Sequence, residues 1–187
     1  MSRALICISI FARIRAGAGA RGRQRHEGAA RLSAGGRYSC RVAGHTFLFR
    51  EGLWRAAGEY RDGGGTVTKV DGETRVRHEP GKWLTEGVMR VKSIPPKEQA
   101  NRTEIAPFSP GSNATHWSSE SAAIGSLNGR FVIAGDTILS FYASGTGRYR
   151  GFESMQQKDA KHYLVRGAML DQDKVVSTWV LELQLAR

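Results

Sequence analysis

Cysteine is nearly absent from this sequence. Its 187 residues include only Cys7 and Cys40, both within the first 46, which excludes the disulfide framework that staples small secreted domains. No apolar run approaches the 18 or more residues that cross a bilayer as a helix. From Phe47 onward no stretch repeats its apolar residues at helical spacing with caps, apart from a single turn at Thr46–Gly52. Helical bundles and the crossover helices of parallel sheets are thereby excluded. A Walker-type loop, a dinucleotide fingerprint and a Gly-x-Ser-x-Gly elbow are all missing. The five histidines, His26, His45, His78, His116 and His162, have none of the close spacings of a metal site, so neither a metal nor a cofactor is expected.

Acidic residues are also scarce, and unevenly so. The chain has 28 Lys and Arg against 17 Asp and Glu, a formal net charge of +11. Residues 1–46 contain no lysine but nine arginines, with Glu27 as the one acid, and so hold +8 of the total; the following 141 residues carry only +3. The first segment is mostly Gly, Ala and Arg, buries too little to offset the entropy of ordering it, and is expected to be disordered. Its Arg-rich, acid-poor character fits either an organellar import segment or an extension without function. The second is the favoured reading, with the cytoplasm as the expected compartment and an organelle as the alternative. A nucleic-acid arm would interleave stacking aromatics, and the segment offers only Phe11 and Tyr38. No nucleic acid and no membrane insertion are expected, while a homodimer stays open.

What is abundant is glycine, 23 residues, as punctuation between short alternating runs. Asp71-Gly72, Pro80-Gly81, Asn128-Gly129, Gly135-Asp136 and Gly145-Thr-Gly147 read as hairpin turns. Between such signals lie candidate strands near 52–61, 66–70, 73–79, 83–93, 116–127, 130–134, 137–144, 148–156, 162–170 and 174–185. Residues 94–115, with Pro95, Pro96, Pro107 and Pro110, read as a long loop or edge segment at the open mouth. Hairpins without helices make an up-and-down meander, and about eight to ten twisted strands expose two edges unless they close. The expected fold is therefore all-β, a closed antiparallel up-and-down barrel over residues 47–187, preceded by the basic segment 1–46.

Alternation assigns faces, although a slip of one residue exchanges them. Trp54, Ala56, Gly58 and Tyr60 share one face of the first strand, and Tyr163, Val165, Gly167 and Met169 oppose His162, Leu164, Arg166 and Ala168. In the last strand Val175, Ser177, Trp179 and Leu181 fall together. At Gly52-Leu53-Trp54 the chain resembles the Gly-x-Trp signature of the lipocalins and related calycin barrels. The run Gly52 to Tyr60 is similar to the first strand of bacterial lipocalin-like and nitrobindin-like barrels. That resemblance implies a Trp54 packed across the closed end of the barrel with a late-strand Arg over its ring, Arg166 or else Arg187. The last strand has no histidine, so a haem ligand is not carried over.

The candidate ligand-binding residues are Trp54, Tyr60, Trp117, Tyr142, Glu153, Arg166 and Trp179. Tyr142, Glu153 and Arg166 would be convergent polar groups in an otherwise apolar cup, and Trp117 would line its mouth. The function expected first is lumenal binding of a small, partly hydrophobic molecule without covalent chemistry. An enzyme using Glu153 with Tyr142, Tyr149 or Arg166 for isomerisation or hydrolysis is the alternative. A barrel filled by its own side chains, serving as an interaction module, is the third reading.

Overall fold

The computed structural model describes residues 44–121 and 123–186; most of the basic segment and Arg187 lie outside them. Ten strands follow one another: β1 (Gly52–Asp62), β2 (Val67–Glu79), β3 (Lys82–Val91), β4 (Lys97–Ile105), β5 (Ala114–Ser121), β6 (Gly125–Ala134), β7 (Thr137–Ser144), β8 (Tyr149–Asp159), β9 (His162–Asp171) and β10 (Lys174–Leu185). Each is antiparallel to its chain neighbours, and β1 pairs with β10 from Trp54↔Leu185 to Asp62↔Ser177. The result is the closed up-and-down barrel that the meander implied, with no free edge.

One end is stoppered by the chain that enters β1. Arg50 N–H donates to the Thr46 carbonyl, closing one turn, and the turn drives Phe47 and Leu48 out of solvent. Phe47 meets the Trp54 ring edge-on at 5.2 Å, and Tyr163 meets it at 5.7 Å. The Tyr163 hydroxyl accepts the backbone N–H groups of Thr46 and Phe47 at 2.9 and 3.2 Å. His45 bridges Tyr163 and the Gly135 carbonyl. Its Nε2–H donates to the carbonyl, which leaves Nδ1 to accept from the tyrosine. The folded unit thus reaches back to His45. Trp54 lies across the closed end as the resemblance implied, and among the described residues the rings against it are Phe47 and Tyr163; Arg166 is on the outer wall, and the alternative, Arg187, lies outside the described residues.

Several local expectations are corrected. Residues 94–115 contain the full strand β4, because all four prolines flank Lys97–Ile105 and leave its ladder donors intact. The loop that follows, 106–113, lies at the stoppered end, where Phe108 packs on Phe49 and Trp83. Asp71-Gly72 and Asn128-Gly129 are not turns. Gly72 sits mid-strand in β2 and Gly129 mid-strand in β6, where absence of a side chain matters more than backbone freedom. A Cβ on Gly129 would lie 2.4 Å from the Trp117 ring. Val175 does not share the face of Trp179: a bulge between Val175 and Ser177 turns it outward.

Candidate functional site

Inward positions on β1 and β6 to β10 supply an apolar lining that includes Tyr60, Phe131, Ile138, Met155, Val165 and Leu181. Three aromatics lie flat against the wall, each over a neighbouring glycine. Trp117 covers Gly129, Tyr142 covers Gly151 and Trp179 covers Gly167; a Cβ on any of these glycines would come within 2.3–2.4 Å of the ring above it. Cross-strand register places each ring beside its glycine.

Glu153 faces the interior without accessible surface, and its Oε1 accepts the Trp179 indole N–H at 3.0 Å. A buried carboxyl needs such donors to offset lost hydration. Ser140 stands directly across from Glu153, so β7, β8 and β10 hold one polar group in the apolar half of the barrel.

The opposite half is polar across four strands. Register sets Thr74 of β2 beside Gly87 of β3, and Gly87 beside Asn101 of β4. The next row aligns Thr85, Thr103 and Ser119. Ser119 Oγ donates to the Arg102 carbonyl at 2.7 Å. Asn101 and Thr85 differ from the rest: Asn101 is 4% exposed and Thr85 1%, yet among the described residues neither the Asn101 amide nor the Thr85 hydroxyl has a hydrogen-bond partner. The position across from Asn101 is a glycine, which has no side chain to offer it a bond. The indole N–H of Trp117 is likewise buried and unpartnered. Asn101 is also the first residue of the formal sequon Asn101-Arg-Thr103, and its burial is compatible with no attached sugar.

The sheet is loosest beside this crescent. Among the described residues β4 and β5 pair only at Thr103–Ser119, Glu104–Ser118 and Ile105–Trp117. From Arg102 back to Lys97 the β5 side of β4 is therefore without a ladder, and the gap opens toward the end opposite the stopper. That end carries a hollow of about 830 Å³ between the β1–β2, β7–β8 and β9–β10 turns, bordered by Gly63, Tyr149 and Gln172. At its rim Arg148 makes a two-pronged pair with Asp171 at 2.9 and 2.6 Å. This pair holds the Asp171 carboxyl below the usual carboxylate range and raises the guanidinium further.

Of the seven residues singled out from sequence, Trp54, Tyr60, Trp117, Tyr142, Glu153 and Trp179 point inward and are buried. Arg166 does not: the β9 register that buries Tyr163, Val165, Gly167 and Met169 leaves it exposed on the outer wall. An acid–base constellation around Glu153 therefore lacks that arginine. Trp117 is a wall residue in mid-strand, not a mouth residue. Sequence reasoning passed over Asn101 and Thr85, the first because β4 went unseen and the second because threonine is ordinary in strands. Among the described residues no three His, Cys, Asp or Glu side chains gather closely enough to hold a metal ion, and no helix is long and apolar enough to cross a membrane.

No protein-family model matches the chain, and no curated protein matches it in sequence. Among solved structures it is similar to the S-type phycobiliprotein lyase CPES from Guillardia theta, at 8% identity and a TM-score of 0.55, over 75% of this chain and 91% of the lyase. A putative AttH from Nitrosomonas europaea aligns at 10% identity over 72% of this chain and 51% of its own, with a TM-score of 0.27 that carries no argument. At these identities the likeness is one of fold, and the fold it supports is a calycin-like barrel.

Proposed function

We propose that the barrel binds a small, partly hydrophobic molecule in its interior, with the Asn101 amide and Thr85 hydroxyl as the polar end of the site. The carrying observation is that these two buried side chains have no hydrogen-bond partners among the described residues. Leaving a buried polar group unpaired costs about 1–3 kcal/mol, and a ligand that bonded to both side chains would offset that cost. An amide presents both donor and acceptor. The matching ligand group is itself a donor–acceptor pair, such as another amide, a lactam or an un-ionised acid. Its apolar remainder would lie against Met155, Val165 and the flat faces of Trp117 and Tyr142. A barrel neighbour named as a lyase of phycobiliproteins is compatible with an interior that handles small molecules. Closer kinship with bacterial lipocalin-like or nitrobindin-like barrels belongs to this same proposal, as does a role in binding without covalent chemistry.

The test is a thermal-shift and tryptophan-fluorescence panel of lipids, haem and metabolites with the full chain, followed by Asn101→Leu and Asn101→Asp. A ligand that raises Tm and changes Trp117 emission in the wild type, and does neither in Asn101→Leu, is expected. Equal binding by wild type and Asn101→Leu would overturn the assignment.

A further inference from the structure

The two sides of the outer wall handle charge in opposite ways. On β1 to β4 carboxylates are interleaved with the cations and neutralise several in place: Lys69 pairs with Glu59, Arg77 with Glu86, Arg90 with Asp71 and Glu98, and Arg102 with Glu86 and Glu104, while Arg55 and Arg75 stand exposed outside these pairs. On β6 to β9 the described outward positions hold one carboxylate, Asp159 at the stoppered end of β8, and it pairs with His162. Arg130, Arg150 and Arg166 stand exposed there, and none of the three makes an ion pair among the described residues; Glu182 of β10, diagonal to Arg166, is the nearest carboxylate in the register.

Those arginines surround an apolar centre. Phe141 and Phe152 face each other across the β7–β8 register, 51% and 45% exposed. Arg130 is the neighbour of Phe141 on β6, and Ala168 is the neighbour of Phe152 on β9. Arg150 lies two residues from Phe152 toward the mouth, and Arg166 two residues from Ala168 toward the stopper. Beside Phe141 is a hollow of about 560 Å³ bordered by His116, Arg130 and Val132. Two phenyl rings left in water at the middle of a wall mark an interaction face, whereas singly scattered apolar residues do not.

We infer that the β6–β9 wall docks a partner protein whose surface sets carboxylates around an apolar centre. Three unpaired guanidiniums fix the sign of the partner, since each is suited to a two-pronged bond with a carboxylate. A second copy fits poorly, because a two-fold contact through this patch sets arginine against arginine. Relief also separates protein from lipid: the ridge of rings beside a hollow matches inserted side chains better than a fluid surface.

The experiment uses the full chain and a synthetic amphipathic helix, a leucine stripe flanked by glutamates, as the probe, with its glutamine counterpart as control. Fluorescence anisotropy gives affinity and amide chemical shifts give the footprint. Shifts confined to β6–β9 are expected, with at least about tenfold weaker binding for the glutamine peptide and for each of two variants, Arg130→Gln/Arg150→Gln/Arg166→Gln and Phe141→Ser/Phe152→Ser. Arg55→Gln/Arg75→Gln on the other wall leaves affinity unchanged. Circular dichroism confirms that both patch variants fold, since all five positions are exposed. Binding that survives the triple variant belongs to the Arg-rich N-terminal residues and overturns the inference. So does self-association abolished by Phe141→Ser/Phe152→Ser. Attachment to phosphatidylglycerol vesicles without peptide binding overturns it as well.

Discussion

At the scale of single residues, the separation between structural and functional groups follows from hydrogen bonding. Glu153 is buried but bonded to Trp179, so removing it strands an indole N–H and loosens the fold. The Asn101 amide is buried with no hydrogen-bond partner among the described residues, so Asn101→Leu is expected to raise the stability of the unliganded protein by about 1 kcal/mol while abolishing binding. Urea denaturation beside a binding assay checks both; a destabilised Asn101→Leu would assign the amide to the scaffold. The glycines under the rings predict the reverse sign. Gly167→Ala drives a Cβ into the Trp179 ring, and overpacking of this kind costs about 1–3 kcal/mol, visible as a lower urea midpoint and altered tryptophan emission. His45 gives a pH dependence. Burial pushes its imidazole below 6.5 in the fold, against the raising effects of the Gly135 carbonyl and Asp136, so the unfolded chain takes up the proton more readily. Its contribution is complete above about pH 6.5 and is lost as pH falls through the lowered value. Urea midpoints measured downward from neutral pH should fall, and His45→Gln should flatten that part of the profile. Trp54 and Tyr60 were legible from alternation, since aromatic and charged positions exchange in β1; in β10 both faces are partly apolar, and Trp179 was placed with Ser177 and Leu181. Arg166 was legible too: alternation placed it opposite Tyr163 and Met169, and that register governs over the wish for an arginine on Trp54.

At the scale of elements, β4 shows why sequence reading stops where function starts. Its inward side chains Gln99, Asn101 and Thr103 are polar and its outward ones are Glu98, Ala100, Arg102 and Glu104, so ahead of Ile105 it carries no apolar alternation to detect, and prolines on both flanks suggested a loop. The polarity that hid the strand is the polarity that lines the site. Hairpin signals failed at Asp71-Gly72 and Asn128-Gly129 for a related reason: glycine serves a turn through backbone freedom and serves a barrel wall through missing volume, and the dipeptide looks the same in both. The short β4–β5 ladder has a kinetic consequence. By hydrogen exchange, β4 amides between Lys97 and Arg102 that face β5 should exchange faster than those of the β1–β10 seam, which is paired along its length. Bound ligand should slow them. Equal protection in both seams would remove the gap as the route inward.

For the whole molecule, closure of the sheet was written in the chain as many strands with no helix to cover an edge, and β1–β10 pairing delivers it. The stopper was only hinted at by a single turn ahead of Gly52, yet Phe47 and Leu48 are as buried as any core residue; Phe47→Ala is expected to cost about 3–5 kcal/mol in chemical denaturation. The charge of +11 divides in the same way, because most of it precedes the barrel and the barrel itself is close to neutral. On the proposed reading, a near-neutral barrel with the Asn101 amide in its wall would receive an uncharged or weakly acidic molecule. Native mass spectrometry of the freshly purified full chain, set against its denatured mass, tests this most directly. A small-molecule adduct present in the wild type and missing from Asn101→Leu is the predicted result; the bare chain mass in both, with no ligand in the panel shifting Tm, would contradict it.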